Sequence, residues 1–72
     1  MRLEWREFMS WRCEACGAEN LILERRDASV DTSATFERVC HACNAQAPGV
    51  TIRPAGTTYR VTTRREWHPT PA

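Results

Sequence analysis

Apolar and polar residues alternate near the N-terminus of the chain. Odd-numbered positions from 3 to 13 are apolar except Glu7, and the even-numbered positions between them are polar except Phe8. A period of two residues is typical of a β-strand that buries one face. The pattern therefore predicts an N-terminal strand with Trp5 and Trp11 on its buried side, where large aromatic rings contribute strongly to a small core.

The middle of the chain predicts two more strands with a polar loop between them. Residues 21–25 begin with three consecutive large aliphatic side chains, and residues 35–39 combine β-branched, aromatic and charged positions. The intervening residues 26–33 are rich in Asp, Ser and Thr, which favour loops. This order predicts a strand, a connecting loop and a second strand.

Two further strands are predicted towards the C-terminus, at residues 50–53 and 58–64. The second segment is rich in β-branched residues and alternates. Pro54 and Gly56 lie between the two segments at positions that suit a type II turn. The prediction is a C-terminal β-hairpin that pairs 50–53 with 58–64. Since no segment has a helical period, the predicted fold class is all-β.

The length of 72 residues allows one small domain. We assign residues 1–64 to this domain and residues 65–72 to an extended C-terminal tail, because Pro69 and Pro71 favour extended backbone. Apolar burial in so short a chain usually does little more than offset the conformational entropy of folding. An additional source of folding energy is therefore expected.

The four cysteines supply the clearest candidate for that energy. They form two C-x-x-C pairs separated by 23 residues: Cys13 and Cys16, then Cys40 and Cys43. Gly17 and Asn44 follow the pairs, and both residue types tolerate the positive φ that such turns often need. Four thiolates are a preferred ligand set for a closed, structural zinc site. The sequence predicts one structural Zn²⁺, worth about 10–16 kcal/mol on binding, and metal-dependent folding of at least residues 11–53.

Three other roles for the cysteines stay open from the sequence. Two disulfides are disfavoured because no secretory signal precedes the first pair, and a reducing compartment is the default. A C-x-x-C redox motif needs a thioredoxin-like context that two matched pairs do not supply. Iron held by four thiolates is the third, since tetrahedral sulfur suits iron as well as zinc.

The two knuckles, Cys13-Glu14-Ala15-Cys16-Gly17 and Cys40-His41-Ala42-Cys43-Asn44, resemble those of the zinc-ribbon superfamily. The resemblance covers residues 11 to about 53 and implies a bound metal and a small β fold. Zinc ribbons occur in transcription factors, polymerase subunits, ribosomal proteins and small phage proteins. In layout the chain is also similar to Com-type phage translational regulators, which implies RNA binding as one expected function.

Charge is distributed unevenly along the chain. All ten basic residues are arginine, and with nine acidic residues the formal net charge is +1. Four thiolates and one zinc would add −2, which leaves a metallated chain near −1. Residues 50–72 nevertheless hold four arginines against one acidic residue: Arg53, Arg60, Arg64 and Arg65 against Glu66.

These observations favour a non-enzymatic interaction module that docks on a larger protein assembly, such as a phage particle or a multi-subunit machine. Trp67 is the predicted anchor because tryptophan is enriched in interface hot spots. Tyr59 and three arginines complete the predicted partner-binding residues: Arg60, Arg64 and Arg65. The alternative is a nucleic-acid-binding regulator that uses the same residues to stack on bases and contact phosphates, although such binders usually have a larger positive excess.

Enzymatic function is not expected, since the four cysteines fill every position around a metal and no other catalytic constellation stands out. No apolar stretch approaches the ~18 residues of a membrane-spanning helix, so no membrane partner is expected. Because residues 1–12 contain no secretory signal, a reducing compartment is the default, and the expected location is the cytoplasm or an assembly formed there.

Overall fold

The computed structural model of the protein describes residues 4–68, and these form five β-strands and no helix. The strands are β1 (Arg6–Arg12), β2 (Glu19–Arg26), β3 (Ala34–Val39), β4 (Gln46–Arg53) and β5 (Thr57–Thr63). The all-β prediction is confirmed. Leu3 of the predicted first strand and residues 69–72 of the predicted tail lie outside the described part of the chain.

The strands form two antiparallel sheets, one with the order β1-β2-β5 and one made of β3 and β4. The first knuckle, residues 13–17, is the tip of the β1–β2 hairpin, and the second knuckle, residues 40–44, is the tip of the β3–β4 hairpin. The connections 27–33 and 54–56 lie at the opposite end. This up-and-down course brings both cysteine pairs to one end of the molecule.

The predicted C-terminal hairpin is not formed, although its two strands exist. β4 pairs with β3, and β5 pairs with β2 along its whole length. The physical reason lies in β2, whose side chains Leu21, Ile22 and Leu23 are completely buried. A strand that is buried on both faces belongs in the centre of a sheet, where it has a neighbouring strand on each edge. β1 lies along one edge of β2, and β5 lies along the other. The turn at 54–56 therefore crosses between the sheets.

Hydrogen bonds fix that crossing. The Gly56 N–H donates to the Val30 carbonyl at 2.6 Å, and the Asp27 N–H donates to the Gly56 carbonyl at 2.9 Å. The Arg53 guanidinium donates to the carbonyls of Thr57 at 2.8 Å and Thr32 at 3.1 Å. Because these bonds tie the 54–56 turn to the 27–33 loop, both inter-sheet connections form one unit.

A β-bulge in β1 explains the two exceptions in the N-terminal alternation. The pairing with β2 shifts between Glu7 and Met9, so Phe8 is an extra residue. The bulge switches the face on which odd-numbered residues lie. The prediction that Trp5 and Trp11 lie on one side of the strand is therefore wrong. Trp5 stacks on Arg25 of β2, and Trp11 stacks on Arg38 of β3.

Three aromatic residues join the sheets away from the cysteines. Tyr59 stacks on Phe8 with ring centroids 5.1 Å apart and meets Phe36 edge-to-face at 5.7 Å. These rings come from β5, β1 and β3, so the contact fixes the β3–β4 hairpin against the three-stranded sheet. Such aromatic pairs contribute roughly 0.5–1.5 kcal/mol beyond their buried area.

Within residues 4–68, no helix exists that could cross a membrane.

Candidate metal centre

The two knuckles have the same backbone conformation. In each, the N–H of the first cysteine donates to the carbonyl five residues later, at 2.9 Å in both cases. The N–H of the fifth residue donates back to the first cysteine's carbonyl, at 2.8 Å for Gly17 and 2.9 Å for Asn44. Gly17 has φ +79° and Asn44 has φ +67°, which confirms the positive φ expected there.

This shared conformation brings the four cysteine sulfurs together: Cys13, Cys16, Cys40 and Cys43 lie with their Sγ atoms within 4.8 Å of one another. The cross-knuckle distances Cys13–Cys43 and Cys16–Cys40 are 3.6 and 3.7 Å, which are too long for disulfides. A tetrahedron with metal–sulfur bonds of ~2.3 Å has edges of about 3.8 Å. The cluster therefore has the size of a four-thiolate metal cage and could hold a metal ion.

The first cysteine of each pair is buried, whereas the second is exposed. Burial raises the pKa of Cys40, but the Asn20 amide and the backbone N–H groups of Cys43 and Ala42 donate to its sulfur. These hydrogen bonds outweigh burial and hold the Cys40 pKa at about 6. Cys40 is thus prepared to act as a thiolate ligand at neutral pH.

Cys43 shows the opposite behaviour. The Ala45 N–H lowers its pKa, but the neighbouring sulfurs of Cys13 and Cys16 outweigh that effect and raise the pKa to about 12. Sulfur atoms this close cannot all carry a negative charge unless a cation lies among them. A divalent metal removes this conflict, because its charge favours all four thiolates and displaces the remaining protons.

Asn20 is a supporting residue that the sequence analysis did not identify. Its side chain is fully buried, and Nδ2 donates to Cys40 Sγ at 3.3 Å while Oδ1 accepts from the His41 N–H at 2.8 Å. Asn20 therefore holds the second knuckle from β2 of the other sheet. The available signal was a polar residue directly before the apolar run Leu21–Leu23, at a position where a polar side chain needs a specific partner.

The turn after β5 packs against the same end of the molecule. The Thr63 hydroxyl donates to Glu66 Oε1 at 3.1 Å, and Glu66 Oε2 lies 3.6 Å from His41 Nε2. The Glu66 and Trp67 N–H groups both donate to the Thr63 carbonyl. Residues 64–66, the first part of the predicted tail together with the end of the predicted domain, thus form a turn beside the second knuckle.

The structure does not bring the predicted partner-binding residues onto one surface. Tyr59 lies between Phe8 and Phe36 on the face towards β3, and burial raises the pKa of its hydroxyl. Arg60 is the next residue of the same strand, so its side chain points to the opposite face, where it is exposed. The two side chains therefore lie on opposite faces of β5.

The other three predicted residues differ in their availability. Arg64 donates to both carboxylate oxygens of Glu7, at 3.0 and 3.1 Å, and lies 3.2 Å from Glu19. Arg65 is exposed, and Trp67 is half-buried. Within residues 4–68, the guanidinium groups of Arg60 and Arg65 have no ion-pair or hydrogen-bond partner, so these two remain available for an external anion.

A cleft of about 460 Å³ lies beside the first knuckle, between the two hairpins. Arg38 forms part of its lining, donates to the Pro48 carbonyl at 2.5 Å and stacks on Trp11 with 5.6 Å between the guanidinium carbon and the ring centre. These contacts connect β3 to a bulge in β4 and to β1. The Arg38 side chain therefore links the β3–β4 hairpin to β1 beside the first knuckle.

No protein-family model, curated protein or solved structure matches this chain.

Proposed function

We propose that this chain is a zinc-stabilised, non-enzymatic interaction module of the zinc-ribbon type that docks on a larger protein assembly. The observation that carries the proposal is the four-sulfur cluster, in which the protein itself provides all four ligands. A tetrahedral metal with four protein ligands keeps no position for water or substrate, which is typical of a structural site. The metal then holds the two hairpin tips together and leaves the strands to make contacts.

Zinc is the metal that suits this role best. Thiolates at tetrahedral distances also accept iron, but zinc has no redox chemistry and tolerates the cage without a preferred electronic geometry. The matched knuckles with Gly17 and Asn44 support the zinc-ribbon assignment because both have the backbone conformation that a C-x-x-C turn requires. A reducing cellular compartment follows from the need to keep four thiols free.

Two features support docking on protein. Val50 and Ile52, in the C-terminal half of β4, are 62% and 63% exposed, although strands usually bury such residues. The second feature is the limited supply of free cations: of the four arginines after residue 50, Arg53 and Arg64 are engaged within the chain.

The nucleic-acid alternative rests on the exposed side chains of Arg60 and Arg65. Two guanidinium groups are a small electrostatic footprint for a strand of phosphates. If nucleic acid is the partner, affinity should fall by about 0.7–0.9 log units per log unit of salt for each phosphate contacted. Double replacement of Arg60 and Arg65 by alanine should then make that slope shallower.

The experiment is affinity purification of the tagged chain from its native lysate under reducing conditions, with and without nuclease, followed by metal analysis. The proposal expects one zinc per chain and a defined protein partner that nuclease does not remove. The control is the Cys13→Ser/Cys40→Ser double variant, which should lose both zinc and partner. Nuclease-sensitive recovery would favour the regulator, and a coloured, iron-containing preparation would contradict the zinc assignment.

A further inference from the structure

The β3–β4 hairpin has an outer face that faces away from the three-stranded sheet. Thr35 lies directly opposite Ile52 and Glu37 directly opposite Val50, so these four residues share one face. The alternate residues Phe36 and Arg38 contact Tyr59 and Trp11 of the other sheet. We call the first set, together with Val39, the outer face; its members are Thr35, Glu37, Val39, Val50 and Ile52.

Along β4 the usual arrangement of apolar and polar residues is inverted. Thr51 and Arg53 point inward and are partly buried, whereas Val50 and Ile52 point outward with more than 60% of their surface exposed. Val39 adds a third apolar side chain that is 40% exposed. An antiparallel sheet that is solvated on one face normally has its polar residues there. These exposed apolar side chains instead indicate a surface that another molecule covers.

The charge on this face indicates what kind of molecule that is. Glu37 is exposed at its centre, and its carboxylate has no ion-pair or hydrogen-bond partner within residues 4–68. Both arginines of the hairpin point inward: Arg38 donates to the Pro48 carbonyl, and Arg53 donates to carbonyls at the far end. The described outer face therefore combines apolar side chains with a single negative charge.

A second copy of this chain does not complement such a face. Two outer faces packed around a two-fold axis would bring one Glu37 towards the other without a cation between them, and like charges at an interface are unfavourable. A partner of different sequence can place a cation against Glu37 and apolar side chains against Val50 and Ile52. The outer face is one face of an antiparallel sheet, and sheet faces pack against other sheets at about 10 Å, so a partner that presents strands suits it.

On the basis of the proposed function, we propose that the outer face of the β3–β4 hairpin binds a β-strand surface of a partner protein that carries apolar residues around one lysine or arginine. The basic residue pairs with Glu37, and the apolar residues cover Val39, Val50 and Ile52. The metal cage contributes indirectly, because it holds the hairpin that presents the face.

The test uses a synthetic two-stranded hairpin peptide, closed by an Asn-Gly turn, with valines and one lysine on a single face. A matched peptide has glutamate in place of the lysine. Titration into the zinc-loaded, ¹³C-methyl-labelled protein should shift the methyl signals of Val39, Val50 and Ile52. An exposed ion pair corresponds to a roughly two- to fivefold preference for the lysine peptide. Glu37→Lys should reverse that preference.

The inference fails if the outer-face methyls do not shift, if both peptides bind equally, or if the preference is unchanged in the Glu37→Lys variant. Concentration-dependent shifts of the same methyls without peptide would identify a second copy as the occupant and would also overturn it. The Val50→Ser/Ile52→Ser variant should keep its zinc and lose the partner recovered from lysate. If it keeps the partner, the surface is wrong while the proposed function stands; if wild type recovers none, the proposed function itself fails.

Discussion

The three-stranded sheet and the β3–β4 hairpin differ sharply in what they bury. β2 alone contains four fully buried side chains, Asn20 to Leu23, and β5 adds Thr62 and Thr63. Neither β3 nor β4 contains a buried residue, and the second knuckle adds only Cys40. The hairpin is therefore held by contacts at its inner face and by the cysteine cluster rather than by a core of its own. Two neighbouring sheets in one small domain can thus depend on different sources of stability.

Metal removal is expected to have the largest effect on this difference between the two sheets. Chelation of the proposed zinc, or Cys40→Ser, should abolish cooperative thermal unfolding, because structural zinc sites supply much of the folding free energy of small domains. Without metal, we expect the backbone amides of β3 and β4 to lose all protection from hydrogen exchange. The amides of β2 should lose less of their protection. If β3 and β4 stay as protected as β2 without metal, the hairpin is stable through its own packing and the comparison fails.

The next test removes the same atoms from each sheet. Ile22→Ala in β2 should reduce the free energy of unfolding by about 2–5 kcal/mol, because Ile22 is fully buried. Ile52→Ala in β4 should change it by less than about 0.5 kcal/mol, because Ile52 is mostly exposed. Denaturant unfolding of both zinc-loaded variants measures the difference. Equal losses would show that β4 contributes to a core after all.

A smaller effect is expected at Asn20, which connects the two regions. Asn20→Ala leaves the His41 N–H without its buried partner, at a cost of about 1–3 kcal/mol in unfolding free energy. Loss of the hydrogen bond to Cys40 should weaken zinc binding roughly 10- to 100-fold. Asn20→Asp keeps the acceptor for His41 and replaces the donor to sulfur with a negative charge. Competition with a chromophoric chelator should show weaker zinc binding for both; unchanged affinity would remove Asn20 from the site.

The smallest effects are expected from substitutions at the positive-φ residue of each knuckle. Gly17→Ala should cost about 1–2 kcal/mol through backbone strain alone, because φ is +79° and the added methyl would meet no atom within 4 Å. Asn44→Gly should be neutral or slightly stabilising, since glycine adopts φ +67° freely. Thermal melts of the zinc-loaded variants measure both. A large loss in Asn44→Gly would mean that the Asn44 side chain has a role that its backbone does not explain.

Local features of the sequence were sufficient for the strands and the knuckles. Alternation located β1, and residue types with known φ preferences located the turns at Gly17 and Asn44. Strand pairing required more, because the Pro54–Gly56 turn suggests a hairpin whichever sheet its flanking strands join. The uninterrupted run from Leu21 to Leu23 did contain the missing information, since a strand buried on both faces belongs in the centre of a sheet.

For the candidate site, the sequence predicted the four cysteines but not the residue that supports them. Spacing was enough to group the four cysteines, because each C-x-x-C turn is a local structure. The bonds from Asn20 to Cys40 and His41 join residues about twenty positions apart in different sheets, and no local pattern specifies them. Successive side chains of a strand point to opposite faces, so the sequence already placed Tyr59 and Arg60 on different sides of β5.

The late position of β5 has a consequence for the order of assembly during synthesis. Translation completes all four thiols at Cys43, whereas the strand that finishes the three-stranded sheet begins only at Thr57. A nascent chain therefore presents all four thiols to a metal ion while one edge of β2 is still open. Under the proposed function, ion capture at the four sulfurs would then precede completion of the three-stranded sheet.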